Sequence, residues 1–249
     1  MDGLSFPSPE GRGDQRGEDR MAERGTGGEG ARFFVPLRAP MMPVESHAPP
    51  KLTGAFRRVH IVHMAVRLLP GPFTVDSYHR LAELGILDED DRVELLDGQI
   101  VAMTPIGGAH AACVIRLTNL LARRAPHDTS VSMQNPVVLA ERWEPQPDVA
   151  VLRRPGGYAG AWLPGPEDVL LVIEVADTSL ERDRDVKIPR YAAAGIPEAW
   201  LVDLAGDAIS VCRRPGPDGY AEMVTVTRAD TLRPLLLPGV AIAVDEILG

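Results

Sequence analysis

From Thr74 onward the apolar positions switch between a helical period and an alternating one. Thr74 stands ahead of Val75-Asp76-Ser77-Tyr78 as a helix N-cap. Tyr78, Leu81, Leu84 and Leu87 then return at near-helical spacing, and Gly85 marks the stop. Arg92-Val93-Glu94-Leu95-Leu96 and Gln99-Ile100-Val101-Ala102-Met103 are two β-like runs around Asp97-Gly98, a strong short-range hairpin signal. After Pro105 and Gly107-Gly108, the stripe Val114, Leu117, Leu121 predicts a helix over 109–124. Val131 to Leu139 and Asp148 to Leu152 read as strands, with a turn from Glu141 to Pro147. A Gly/Pro-rich loop from Arg153 to Glu167 leads into Val169 to Val175, whose unbroken apolar run predicts a strand buried on both faces. An alanine-rich helix ending at Gly195, a strand Ala199 to Asp203, a hairpin from Ile209 to Arg213 and Glu222 to Thr227, and a closing segment Val240 to Leu248 complete the chain. Helices and strands alternate without a regular βαβ rhythm. The pattern therefore predicts an α/β fold of the mixed α+β kind, one sheet flanked by helices.

Upstream of this body the pattern disappears. Eight of the first thirty residues are glycine, mixed with Arg, Glu and Asp. Residues 1–63 are expected to be a disordered arm or a non-native N-terminal extension, and residues 64–249 a single domain. The chain of 249 residues is 45% hydrophobic, enough for a sizeable core. Its two cysteines, Cys113 and Cys212, exclude a disulfide framework and fit a reducing, cytoplasmic setting. No apolar run reaches the roughly 20 residues a membrane span needs, no zinc spacing occurs, and no secretory leader is recognisable. Phosphate-cradling glycine motifs and a nucleophile elbow are also missing.

Charge is unevenly spread. Residues 1–63 carry nine Lys/Arg against eight Asp/Glu, a net of +1; the total of −9 then leaves −10 on 64–249. An acidic body argues against a general nucleic-acid coat protein and leaves room for an enzyme that touches nucleic acid over a small patch. Lysine occurs only at Lys51 and Lys187. Everywhere else the body uses arginine.

Four polar residues sit where the pattern does not ask for them. Glu174 lies inside Val169-Leu170-Leu171-Val172-Ile173-Glu174-Val175, where a carboxylate costs several kcal/mol unless it is paired or holds a metal. An arginine partner or a place at the strand end would also satisfy it. Asp148 opens a strand after Pro147, as a site residue or as a turn aspartate capping its own backbone. Lys187 follows on the next helix, as a catalytic cation or on a solvated face. Glu94 alternates with Val93 and Leu95, and surface exposure is its ordinary reading. Taken together they make a chemical kit. Two carboxylates on neighbouring strands suit Mg²⁺ or Mn²⁺, a lysine suits phosphate charge, and a third carboxylate can hold a second ion or a water.

Pro147-Asp148, Glu174-Val175 and Lys187 resemble a PD-(D/E)XK nuclease whose lysine has moved from the strand, where Ala176 stands, to the following helix. Val93-Glu94-Leu95-Leu96-Asp97-Gly98, Pro147-Asp148-Val149-Ala150-Val151, Ile173-Glu174-Val175, and Lys187 with the run Tyr191-Ala192-Ala193-Ala194-Gly195-Ile196-Pro197-Glu198-Ala199-Trp200-Leu201-Val202-Asp203 resemble the Uma2 family over residues 70–249. The resemblance implies a restriction-endonuclease-like core and a Mg²⁺ (or Mn²⁺) site. Asp148, Glu174 and the Val175 carbonyl would be metal ligands, Lys187 the catalytic cation and Glu94 an outer carboxylate. Gln134, in Met133-Gln134-Asn135-Pro136, resembles the family's polar residue before its next strand and would touch the site. His110 opens the second helix, to contact phosphate or to serve a local role. Pro189, two residues past Lys187, departs from a continuous helix there and predicts a break or kink.

Arg116 and Arg123, seven apart, would share a helix face with Asn119 between them as a phosphate-contacting surface, with Arg124 adjacent; Arg153-Arg154 and Arg182 with Arg184 are further clusters, each equally readable as solvated charge. The expected partner is nucleic acid, DNA before RNA, with no membrane, and a homodimer would double such a patch. Two readings stay open. One is a metal-dependent endodeoxyribonuclease, whose Asp148 and Glu174 are essential. The other is a catalytically inactive nuclease-like module that binds nucleic acid or a protein, whose carboxylates pair with arginines. A glycosidase reading is weakened by an aromatic content of 5%.

Overall fold

A six-stranded sheet, its strands lying side by side in chain order, organises the molecule. The computed structural model describes residues 72–88, 90–153 and 163–249. The expected arm at 1–63, most of the Gly/Pro-rich loop and Arg154 lie outside the described residues.

The first helix, α1 (Val75–Glu83), starts where Thr74 accepts from the Ser77 N–H, and Gly85 follows it at φ +67°, the left-handed position that suits glycine. Next comes the hairpin of β1 (Val93–Leu96) and β2 (Gln99–Ala102). Its two-residue turn has Asp97 and Gly98 at φ 48° and 75°, the mirror-image turn that matches strand twist. At Gly98 a side chain would also strike Pro72, 2.6 Å from the ideal Cβ position.

Helix α2 (Gly108–Arg124) buries Cys113, Val114, Leu117 and Leu121 against one face of the sheet. Then follow β3 (Ser130–Met133), β4 (Val149–Leu152), a 3₁₀ turn (Pro166–Asp168) and β5 (Val169–Ala176). The strand expected to run from Val131 to Leu139 is therefore cut short. Gln134 takes φ 52° and Pro136 cannot donate to a ladder, so the chain leaves β3 after four residues, although Val137 and Leu139 stay buried.

After β5 an α-helical turn (Leu180–Arg182), a π-helical turn (Asp183–Lys187) and α3 (Ile188–Ala193) follow without a gap. Here Pro189 explains the geometry. The Ile188 N–H reaches back five residues to the Asp183 carbonyl, and Pro189 lands in the first turn of α3, where a missing N–H costs nothing. The predicted kink is thus a widened turn.

Strands β6 (Glu198–Asp203), β7 (Ala208–Gly216) and β8 (Gly219–Thr227) complete the sheet; the late hairpin is longer than the apolar pattern suggested. Small strands β9 (Thr231–Leu232) and β10 (Ile242–Ala243) pair with each other before the closing helix α4 (Val244–Leu248). All strand pairs in the large sheet are antiparallel except β5 with β6. This is the mixed α/β architecture expected.

Every residue of β5 is buried, because α2 and the C-terminal segment cover one face and α3 the other. Leu171, Ile173 and Val175 face α2, while Val172 and Ala176 face α3. By alternation Glu174 falls on the α3 side, an acid inside an apolar layer. Both cysteines are free and buried. Among the described residues no helix is long and apolar enough to cross a membrane.

Candidate active site

The sheet sets two carboxylates face to face. Val149 pairs with Ile173, so one more step of that antiparallel register puts Asp148 opposite Glu174. Asp148 Oδ2 accepts the Val175 N–H at 2.9 Å, which ties the start of β4 to β5. This carboxyl also bonds His110 Nε2 at 3.0 Å, and its Oδ1 accepts from Gln134 Nε2 at 3.3 Å. It is therefore not capping its own turn, which was its ordinary sequence reading. Gln134 is placed by its left-handed backbone and by its N–H, which donates to the Asp148 carbonyl at 3.1 Å.

Glu174 Oε1 accepts from Lys187 Nζ at 2.9 Å and from the Tyr191 hydroxyl at 2.5 Å. Lys187 also contacts Glu94 Oε2 at 3.2 Å. The widened turn is what delivers it: Asp183 and Lys187, four residues apart, both turn inward while Arg184, Asp185 and Val186 stay exposed. Lys187 is only 4% exposed and Glu94 only 3%. Both ordinary readings, a solvated helix face and a surface strand position, are corrected. The cause for Glu94 is the hairpin's packing on the chain at 144–146: Leu95 bridges Glu144, and the Gln146 N–H donates to Glu94 Oε2 at 3.2 Å.

The electrostatics follow. Burial pushes the Glu174 carboxyl up to about 8 against the pull of Lys187, with Asp148 and Asp183 adding repulsion. Burial works against the Lys187 charge too, but Glu174, Glu94 and Asp183 outweigh it and hold the ammonium above its usual range. For Asp148 burial raises the group, but the bond and charge of His110 together with the Val175 N–H and Gln134 bonds outweigh it, and the group is lowered. His110 is raised, chiefly by its bond to Asp148, while Arg92 opposes its charge. Asp183, which accepts from the Ser179 hydroxyl at 2.5 Å, is raised by burial. Three buried carboxylates, Glu94, Glu174 and Asp183, thus share one buried lysine, with a fourth, Asp148, beside them and bonded to His110.

These groups floor an open cleft of about 190 Å³. Its walls include Arg92, the segment Met103 to Gly107, His110, Asp177 and Arg182. Opposed carboxylates that are short of positive charge suit a hard divalent cation. Among the described residues no three His, Cys, Asp or Glu side chains form a ligand set of their own. An ion held by Asp148, Glu174 and the Val175 carbonyl would complete its shell with water and phosphate, which is the habit of Mg²⁺.

Two arginines leave the candidate set. Arg116 donates to the Ile247 carbonyl at 2.8 Å and the Leu248 carbonyl at 2.7 Å, satisfying the end of α4 rather than facing the cleft. Arg123 is exposed on α2 and does not line the cleft. Its neighbour Arg124 pairs with Glu246. Sequence reasoning gave no role to Asp183, Tyr191 or Arg92. The i,i+4 spacing of Asp183 and Lys187, and the shared strand face of Arg92 and Glu94, were the available signals.

The Uma2 family profile, whose description reads "Putative restriction endonuclease", matches residues 75–245. That stretch contains Glu94, Asp148, Glu174 and Lys187. A crystal structure from Anabaena variabilis, described as "a putative nuclease belonging to DUF820", shares the fold with a TM-score of 0.57 and 16% identity, covering 71% of this chain and 98% of its own. No curated protein matches the chain. With more than half its length matched by the profile, the chain belongs to the Uma2 family.

Proposed function

We propose that this protein is a Mg²⁺- or Mn²⁺-dependent endonuclease that hydrolyses phosphodiester bonds of DNA, with residues 64–249 as one catalytic domain. A single observation carries the reading: Asp148 and Glu174 stand opposite each other on neighbouring strands, at the floor of an open cleft, with Lys187 bonded to Glu174. Asp148, Glu174 and the Val175 carbonyl hold the ion. When bound, it lowers the pKa of a water and stabilises charge on the phosphate.

The chain's own groups do the rest. Lys187 supplies a compact positive charge for the attacking water and the developing phosphate charge. Glu94 and Tyr191 fix the positions of Lys187 and Glu174. His110 and Gln134 orient Asp148. Attack by water at phosphorus leaves a phosphate on one end and a hydroxyl on the other. A cytoplasmic setting and a homodimer belong to the same reading.

The alternative, a module that binds without cutting, expects its carboxylates to be neutralised by arginine. Among the described residues, none of Glu94, Asp148, Glu174 and Asp183 has an arginine partner; lysine, histidine and serine take those places.

The test is plasmid nicking by the full chain with Mg²⁺ and with Mn²⁺. Wild-type protein is expected to nick, and Asp148→Asn, of unchanged shape, to fall below detection with its melting temperature retained. Equal nicking by the variant, or none by the wild type with either ion, overturns the reading.

A further inference from the structure

The cleft separates its charges. The floor holds the carboxylates, whereas the rim holds two arginines that do not fold down onto them. Among the described residues Arg92 has no hydrogen-bond or ion-pair partner for its guanidinium, although Glu94, two residues along, faces the same side of β1. Arg182 makes a 3.5 Å contact with the Ala102 carbonyl and, among the described residues, has no carboxylate partner. Several other described arginines are committed: Arg124 to Glu246, Arg213 to Glu198, Arg228 to Asp207 and Asp245.

Both rim arginines meet the end of β2. The Arg92 carbonyl accepts the Met103 N–H at 2.9 Å, and Arg182 reaches Ala102 from the opposite wall. Helix α2 begins at the same cleft, with Gly107 in the wall and no acid in its first turn, so its end adds partial positive charge. A phosphodiester entering this cleft is repelled by the acidic floor before any ion is bound. Planar guanidinium forks without carboxylate partners are the groups that offset this repulsion and grip phosphate oxygens.

We infer that Arg92 and Arg182 form a phosphate-binding subsite, taking the non-bridging oxygens of the backbone phosphate next to the one that is cut. This rests on the endonuclease reading and names where that substrate is held. Contact is to the backbone alone, so the subsite confers grip without sequence preference.

The test uses the full chain in an Asp148→Asn background without divalent ions, so that the strand stays intact. A labelled DNA duplex is titrated by fluorescence anisotropy over a series of salt concentrations. Arg92→Gln and Arg182→Gln are each expected to weaken binding about tenfold. Each is also expected to lower the slope of log K against log salt by about 0.9, the value for one lost phosphate contact. Arg92→Lys keeps the slope and loses part of the affinity, and Arg228→Gln, outside the cleft, changes neither. Unchanged affinity and slope in both glutamine variants overturn the subsite, and absence of DNA binding by the parent Asp148→Asn protein overturns it as well. The endonuclease reading fails separately, by absence of nicking in the wild type, and it survives if nicking persists while the arginine variants bind normally.

Discussion

Two buried glutamates one strand apart have opposite surroundings. Glu198, at the start of β6, is fully buried and has four donors. These are Trp200 Nε1 at 2.8 Å, two guanidinium N–H groups of Arg213 at 2.9 and 3.1 Å, and the Leu235 N–H. It ties β6, β7 and the chain past β9 together. Glu174, on β5, has Lys187 and Tyr191 but shares that lysine with Glu94 and faces Asp148 and Asp183. A carboxylate answered by arginine and backbone is a structural joint. One crowded by other carboxylates around a single lysine is a place built to receive more positive charge. Burial alone does not separate them; the donor inventory does.

The comparison can be broken at several points. The largest effect is expected at Lys187. Replacing it in Lys187→Met removes nicking and leaves Glu94 and Glu174 buried without a cation, at a cost of about 3 kcal/mol in chemical denaturation. Adding Glu94→Gln to that variant restores part of the stability and none of the nicking. Glu198→Ala comes next. It strands Arg213 and the Trp200 N–H and should lower stability by about 3 kcal/mol, yet leave Mn²⁺ affinity unchanged in calorimetry. A loss of metal binding there would erase the distinction between the two glutamates.

Tyr191→Phe removes one donor from Glu174. A roughly tenfold fall in nicking rate is expected, with about 1 kcal/mol of stability lost. Smaller still is Arg116→Ala, which frees the carbonyls at the end of α4. It should cost about 1 kcal/mol by thermal unfolding and leave DNA affinity as it was, in contrast to Arg92→Gln.

Local signals carried most of the fold. Asp97-Gly98 announced the hairpin, Val114, Leu117 and Leu121 the second helix, and the run Val169 to Val175 the central strand, because each is written within a few neighbouring residues. Glu174 stood out as an acid in that run, and Glu94, Asp148 and Lys187 stood out beside it, with roles supplied by an ordered resemblance. Their burial was not legible: Glu94 and Lys187 each look solvent-facing until the hairpin and the widened turn are brought together. Arg116 was misjudged for the same reason. Its partners lie at the far end of the chain, and no helical periodicity reveals them. Gln134 ended a strand that apolar spacing alone extended to Leu139, since a left-handed glutamine leaves no mark in a hydrophobic pattern.

The most direct measurement sets the two glutamates side by side. Mn²⁺ is titrated by calorimetry into the full chain, into Glu174→Gln and into Glu198→Gln, each checked for a retained fold by circular dichroism. The account predicts that the wild type and Glu198→Gln bind the ion and that Glu174→Gln does not. Equal binding by both variants, or none by the wild type at millimolar Mn²⁺, would contradict it.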